Sequence, residues 1–215
     1  QIQHQNFLLA DMADFPTANK AYSAFFGSSP PSRACVAVVL PPNQRVRLEA
    51  MGYDDSQLPE RSGLGRSALH VQSISYWAPA NIGPYSQAVM VSSKHDKSPA
   101  AQLNFRSQVG HRLTIAGQIG LIPPTLTLPC PRSFVEEAVL SLQHVRRVLA
   151  VLKSSSTAGG GWEGWVEGVI CWYARSEDLP LARSVWEAHA VTVRTLTVYS
   201  GSVTHGILSE WKLPD

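Results

Sequence analysis

The sequence predicts an α+β fold made of one complete copy of a sheet-and-helix module, preceded by a partial copy of the same module. The first observation is an internal repeat, because DFPTANKAYSAFF at 14–26 matches DLPLARSVWEAHA at 178–190. The second is that each segment precedes two strand-like runs, which carry Glu49 and Glu210 near their ends. The third is the length of 215 residues, which allows one large domain or two modest ones.

Residues 1–53 are predicted to form a β-α-β-β unit, which is the partial copy. Its predicted elements are, in order, a strand end at 7–12, a helix over 13–27, and strands at 34–40 and 45–53. Asp14 can cap the helix, Pro16 lies in its first turn where a missing N–H costs nothing, and Gly27 ends it. Residues 41–44 form a turn, so we expect the last two strands to pair as a hairpin.

Residues 54–67 are polar, contain Pro and Gly, and are predicted to be a linker to the complete copy at 68–215. The complete copy has the order β-β-β-α-β-α-β-β. Its strands are predicted at 70–79, 87–93, 111–122, 164–174, 191–200 and 204–213, and its helices at 134–152 and 178–190. The first of these helices begins with a capping-box spacing of Ser133 and Glu136 and carries a continuous apolar stripe, so it should pack on a sheet.

Composition excludes several classes of function. The net charge of +2 and the scattered basic residues do not predict a nucleic-acid partner, and no apolar run is long enough to span a membrane. Cys35, Cys130 and Cys171 are too widely spaced to predict a disulfide framework or a zinc site. We therefore expect reduced thiols, no metal, no cofactor and a cytoplasmic location. Because the chain lacks an initiator Met, we expect it to be a fragment of a longer protein.

Arg33 and Glu49 are the first candidate site residues. Arg33 comes just before a predicted strand, where a guanidinium is well placed to bind a carboxylate through two hydrogen bonds. Glu49 lies on the neighbouring strand of the predicted hairpin, so the two side chains could approach each other and orient a water for attack on a C=N carbon. The alternative is an ordinary surface ion pair across two strands, worth less than about 1 kcal/mol.

Three motifs resemble the Rid family, also called YjgF or L-PSP, whose members hydrolyse reactive enamines and imines. Gly-Pro-Tyr-Ser-Gln-Ala at 83–88 and Ala-Gly-Gln-Ile-Gly at 116–120 resemble the opening half of that module. PPSRACVAVVLPPNQRVRLEA at 30–50 resembles the closing half, although it comes first in the chain. The resemblance implies a chorismate-mutase-like module with a mixed sheet and two helices on one face. It also implies a homo-oligomer, either a trimer or a pseudo-trimer, with sites between modules.

The resemblance implies roles for individual residues. Arg33 matches the arginine that binds the substrate carboxylate, and Glu49 matches the glutamate that positions water, so both are candidate catalytic residues. The candidate substrate-binding residues are Asn19, Cys35, Tyr85, Gly117, Arg194 and Glu210. Arg194 and Glu210 are the candidate counterparts of Arg33 and Glu49 in the second copy. That copy lacks the Pro-x-Arg sequence that precedes the strand in the first copy. The implied ligand is a small carboxylate-bearing imine or enamine.

The tandem arrangement is similar to the C-terminal region of eukaryotic diphthine–ammonia ligases, which act in diphthamide biosynthesis. No Ser-Gly-Gly-Lys-Asp phosphate-binding loop is present, so we expect no ligase reaction from this chain alone. Three functions stay open: a ligand-binding and ammonia-releasing region of such a ligase, a free-standing enamine/imine deaminase, and a non-catalytic oligomerisation module. An RNA-cleaving function is disfavoured by the modest charge and the lack of an aromatic and basic platform.

Overall fold

The structure is a computed structural model that describes residues 1–53, 66–94, 109–154, 166–189, 193–200 and 209–212. Its strands are β1 Ile2–Leu9, β2 Ser32–Ala37, β3 Val46–Gly52, β4 Arg66–Leu69, β5 Ala88–Lys94, β6 Val109–Ile115, β7 Val166–Tyr173, β8 Val193–Ser200 and β9 Ser209–Lys212. Its helices are α1 Phe15–Ser23, α2 Phe134–Ser154 and α3 Leu179–His189. The strands form three sheets, ordered β2-β1-β3, β4-β5-β6 and β7-β8-β9, so the predicted α+β class is confirmed.

The first sheet corrects the predicted hairpin. β1 pairs in parallel with β2, and β3 pairs antiparallel with the other edge of β1. β2 and β3 therefore do not pair with each other. The helix between β1 and β2 forms a crossover connection, and β3 pairs with the edge of β1 that remains free. α1 covers one face of this sheet, where Phe7 and Leu9 of β1 pack against Tyr22.

The second sheet is an antiparallel meander of β4, β5 and β6 with α2 packed on it. Ala88 and Met90 of β5 contact Val148, Leu149 and Leu152 of α2 in two apolar clusters. The predicted helix at 134–152 is confirmed, because its apolar stripe does meet a sheet.

The strand predicted at 70–79 is wrong, and the first strand of the meander is β4 instead. Val71, Ala78 and Ala80 form a small buried cluster in an irregular segment, where the Ser75 hydroxyl donates to the Ala78 carbonyl oxygen at 2.7 Å. Arg66 begins β4, so the last two residues of the predicted linker at 54–67 belong to a strand. Residues 54–65 lie outside the described residues, and the division into 1–53, 54–67 and 68–215 stays a prediction.

The third sheet repeats the parallel crossover of the first, since β7 and β8 pair in parallel and α3 connects them. β9 then pairs antiparallel with β8. Tyr173 at the end of β7 is buried against Phe134 of α2 and Trp186 of α3, so this unit packs against α2 through an apolar cluster. No helix among the described ranges is long and apolar enough to span a bilayer.

The first sheet contacts the second along a seam of backbone and side-chain hydrogen bonds. Ser32 and Ser86 form an isolated parallel bridge, and the Gly117 N–H donates to the Arg33 carbonyl oxygen at 3.0 Å. Buried Gln3 donates from Nε2 to the carbonyl oxygens of Arg112 at 2.8 Å and Val89 at 3.4 Å. The seam therefore brings the PPSR segment beside both the Gly-Pro-Tyr and the Ala-Gly-Gln segments.

Candidate functional site

Arg33 is the centre of the candidate site. It is the second residue of β2, faces α1, and is only 4% exposed. Its guanidinium carbon lies close to four aromatic ring centroids, which we call the aromatic cage: Tyr22 at 4.5 Å, Phe7 at 5.5 Å, Tyr85 at 5.6 Å and Phe15 at 5.9 Å. Cation–π attraction to these rings holds a positive group in an apolar setting.

The buried Arg33 guanidinium pairs with no carboxylate of the described residues. Among the ion pairs of the described residues none involves Arg33, and its Nη1 has no hydrogen-bond partner there. Burial lowers the pKa of Arg33, while nearby Tyr22, Cys35 and Tyr85 act in the opposite direction. An arginine stays charged in proteins, so this is a desolvated cation that an anionic ligand would stabilise.

Two further polar atoms beside the guanidinium lack a partner in the described part of the chain. They are Oδ1 of Asn19 and the hydroxyl of Tyr22, both on α1. Because residues three apart share a helix face, both side chains lie on the side of α1 that covers the sheet. Burial raises the pKa of Tyr22 to about 12, so its hydroxyl keeps its proton. The site thus offers an uncharged O–H donor and a carbonyl acceptor next to a cation.

The opening half of the second piece closes the site with backbone. A Cβ on Gly83 would lie 2.8 Å from Arg33 Nη2 and 3.6 Å from Asn19 Oδ1, so a larger residue there would displace the guanidinium. A Cβ on Gly117 would lie 3.4 Å from the Cα of Ala34. Burial raises the pKa of Tyr85, while a backbone hydrogen bond from Ile82 and the charge of Arg33 act to lower it.

Cys35 lies on the Arg33 face of the sheet and is half-buried, level with Phe7. Burial raises the pKa of its thiol, and the charge of Arg33 only partly offsets this. A thiol kept protonated is a poor nucleophile, so this position suits a pocket wall.

Glu49 lies on the opposite face of the sheet from Arg33. The register places Glu49 level with Asn6, whereas Arg33 is level with Gln5, and successive residues of a strand point to opposite faces. The expected approach of Glu49 to Arg33 within one chain is therefore not observed. Glu49 instead accepts a hydrogen bond from Asn6 Nδ2 at 3.3 Å and pairs with Arg47 at 3.1 Å.

In the second copy the strand register puts a leucine at the position equivalent to Arg33. Leu9 and Tyr173 each lie five residues before the Asp that precedes the helix, and they pair with Ala37 and Ser200 respectively. Counting back four residues from these partners reaches Arg33 in β2 but Leu196 in β8. The register thus places Leu196 rather than Arg194 at the position of Arg33. Arg194 and Glu210 lie on β8 and β9, and their side chains are outside the described residues.

The structure brings together Asn19, Arg33, Cys35, Tyr85 and Gly117, as the sequence resemblance implied, while their roles in binding stay predictions. Sequence reasoning missed Phe7, Phe15, Tyr22 and Gly83. The spacing of Asn19 and Tyr22 on one helix face was a usable signal, because it places both beside any residue that α1 covers. Within the described ranges, no group of three His, Cys, Asp or Glu side chains could hold a metal ion.

The chain is homologous to a segment of diphthine–ammonia ligase. No protein-family model matches it. It is 35% identical to the diphthine–ammonia ligase of Schizosaccharomyces pombe over 150 residues, which is 69% of this chain and 20% of that protein. It is 36% identical to the Saccharomyces cerevisiae protein over 145 residues, which is 65% of this chain and 19% of that protein. The chain thus spans about a fifth of the length of these relatives.

Three solved structures are similar to this chain at low sequence identity. A chorismatase matches 96% of this chain and 60% of its own length, with a TM-score of 0.50 and 14% identity. TdcF from E. coli matches 59% of this chain and 81% of its own, with a TM-score of 0.37 and 20% identity. RidA from Psychrobacter sp. matches 63% of this chain and 90% of its own, with a TM-score of 0.35 and 20% identity.

Proposed function

We propose that this chain is the Rid-like region of a diphthine–ammonia ligase in diphthamide biosynthesis, and that its pocket binds a small carboxylate ligand. Homology to the two yeast ligases supports the first part. The observation that carries the second part is the Arg33 guanidinium, buried in the aromatic cage with Nη1 unpartnered among the described residues. A bound carboxylate would supply the missing counter-charge and accept the free N–H.

The ligand carries a hydrogen-bond donor next to its carboxylate. Asn19 Oδ1 is a buried acceptor without a partner in the described part of the chain, and it lies on the same side of Gly83 as the guanidinium. A buried acceptor gains most from an N–H or O–H that replaces its lost water. An imine or enamine of a 2-oxo acid, or a 2-amino or 2-hydroxy acid, presents both groups.

Binding is favoured over hydrolysis within a single chain. Hydrolysis of a C=N bond needs a group that orients water, and Glu49 lies on the far face of the sheet from Arg33. Ammonia release from imines is therefore the second candidate function, with Glu49 or an equivalent carboxylate delivered by another copy in a trimer or pseudo-trimer. Assembly in the cytoplasm with other domains of the ligase completes the proposal.

Titration calorimetry with lactate tests the binding function, because lactate is stable and carries a carboxylate beside an O–H donor. Arg33→Leu should lose at least about 100-fold in affinity, since two charge-assisted hydrogen bonds are removed. Arg45→Leu is the matched control, because Arg45 lies 74% exposed at the surface, paired with Asp14. Propionate, which lacks the donor, should bind more weakly than lactate. A wild-type chain that binds none of the small carboxylates would overturn the proposal.

Ammonia release from freshly generated 2-aminoacrylate separates the two candidates. Faster release by the wild-type chain than by Arg33→Leu would establish a deaminase. Lactate binding without faster release would leave a ligand-binding module. If neither occurs, a non-catalytic oligomerisation module is the remaining alternative, and sedimentation would give its assembly state.

A further inference from the structure

The hydroxyl of Tyr22 is a buried polar group without a hydrogen-bond partner among the described residues. Tyr22 is 5% exposed, and its hydroxyl makes no hydrogen bond to any described residue. The ring itself is well explained, because it stacks on Phe7 at 5.5 Å between centroids and contacts Phe26 at 4.8 Å. A phenylalanine would make the same ring contacts without burying an unsatisfied polar group.

The short distance between the Tyr22 ring and the Arg33 guanidinium suggests that the hydroxyl contacts the same ligand as the arginine. The Tyr22 ring lies nearer to the guanidinium carbon, at 4.5 Å, than the other three rings of the aromatic cage do. Arg33 Nη1, also buried and unpartnered in the described part of the chain, is a second donor in the same place. Two donors beside one cation match the oxygen atoms of a carboxylate.

The second copy provides an internal comparison. Tyr22 is eight residues after Asp14, and the residue eight after Asp178 is Trp186. Trp186 packs in an apolar cluster around Tyr173, in a unit where Leu196 replaces Arg33. Both copies therefore carry a large aromatic ring at this position of the helix, and the ring of the copy with the arginine also carries a hydroxyl.

We propose that Tyr22 is a ligand-contacting residue whose hydroxyl donates a hydrogen bond to the carboxylate held by Arg33. The inference rests on the proposed binding function. Because burial raises the pKa of Tyr22 to about 12, the phenol stays a neutral donor and does not repel the anion. Tyr22 thus adds a hydrogen bond that none of the sequence motifs around Arg33 supplies.

Tyr22→Phe tests this proposal through two effects of opposite sign. Lactate affinity measured by calorimetry should fall about 10-fold, because a hydrogen bond to a charged acceptor is lost. The melting temperature of the ligand-free protein should stay the same or rise, because an unsatisfied buried group is removed. Tyr76→Phe is the control, since Tyr76 is 87% exposed and its loss of a hydroxyl should change neither quantity.

A spectroscopic measurement gives an independent readout. In protein labelled with ¹³Cζ-tyrosine, the Tyr22 resonance should shift during a lactate titration with the same Kd that calorimetry gives. Unchanged lactate affinity in Tyr22→Phe would overturn the inference while the Arg33 site stands. A lower melting temperature together with weaker binding would also overturn it, because the hydroxyl would then have a structural partner. Absence of lactate binding by the wild-type chain would sink the proposed function as well.

Discussion

The two copies of the β-α-β-β unit use one scaffold for different interiors. In both, a helix joins a parallel strand pair, and the Asp just before that helix pairs with an arginine: Asp14 with Arg45 in the first copy and Asp178 with Arg175 in the second. The first copy buries Arg33 among aromatic rings, whereas the register of the second places Leu196 there. The same scaffold therefore carries a buried arginine at this register position in the first copy and a leucine in the second.

The copies also differ in the partner of their last strand. β3 pairs with β1, the strand before the helix, whereas β9 pairs with β8, the strand after it. In the first copy the far side of β2 is occupied by the second piece, through the Ser32–Ser86 bridge and the bond from Gly117. An edge that already has a partner is closed to a new strand, so β3 takes the free edge of β1.

Gly83→Ala should have the largest effect on the difference between the copies. The added Cβ would lie 2.8 Å from Arg33 Nη2, so the guanidinium must move within its cage. Because a small misplacement of a binding group is costly, lactate affinity should fall about 10- to 100-fold. The free energy of unfolding should change little, since only the end of a side chain is displaced. Gly27→Ala is the matched control, because no atom lies within 4 Å of its Cβ position. Equal affinities for the two variants would refute the close approach.

Gln3→Leu tests whether polar contacts hold the first sheet to the meander, whereas apolar contacts hold the third sheet and α3 to α2. The substitution leaves the part-buried carbonyl oxygen of Arg112 and the buried one of Val89 without the amide donor that lies 2.8 and 3.4 Å away. The free energy of unfolding should fall by about 1–3 kcal/mol, measured by urea titration. Gln72→Leu, at an exposed position, should leave it unchanged. A stability loss shared by both variants would mean that the seam does not depend on Gln3.

The pH dependence of stability should arise in part from the first copy. Burial lowers the pKa of His4 below 6.5, with a hydrogen bond to Asn6 opposing the shift. The unfolded chain then binds a proton that the folded chain does not, so stability falls as pH drops below about 6.5. His4→Asn should make this fall shallower in urea titrations between pH 7.5 and 5.5. His189→Asn, at the exposed end of α3, is the control, and identical slopes for all three proteins would contradict the assignment.

Local patterns predicted the elements better than their pairing. The stripe of α2 and the capping spacing at Ser133 suffice for a long helix, since both are local properties. The predicted hairpin of β2 and β3 was wrong because strand pairing depends on segments distant in the sequence. β1 lies between the two strands and pairs with both, and the α1 crossover connects it to β2. The strand at 70–79 failed because its apolar residues pack in an irregular segment rather than a ladder.

The pocket could be predicted only where a motif marked it. Arg33, Tyr85 and Gly117 belong to recognisable segments, and the structure does place them together, although their function awaits the experiments above. Gly83 opens the Gly-Pro-Tyr motif but was not chosen as a site residue, because a turn glycine there is expected in any case. Tyr22 lies in no motif, since a tyrosine of the core has the same helical spacing as one that faces a ligand. Glu49 lies on the other face because one residue of register reverses the direction of a side chain.

The seam gives the pocket a second property. Its cation and helix come from residues before 54, and its glycine walls come from residues after 65, so neither piece of the chain contains the pocket alone. A compound that binds only when the two pieces are in contact must, by thermodynamic linkage, also stabilise that contact. Ligand binding and the association of residues 1–53 with the rest of the chain are then thermodynamically coupled.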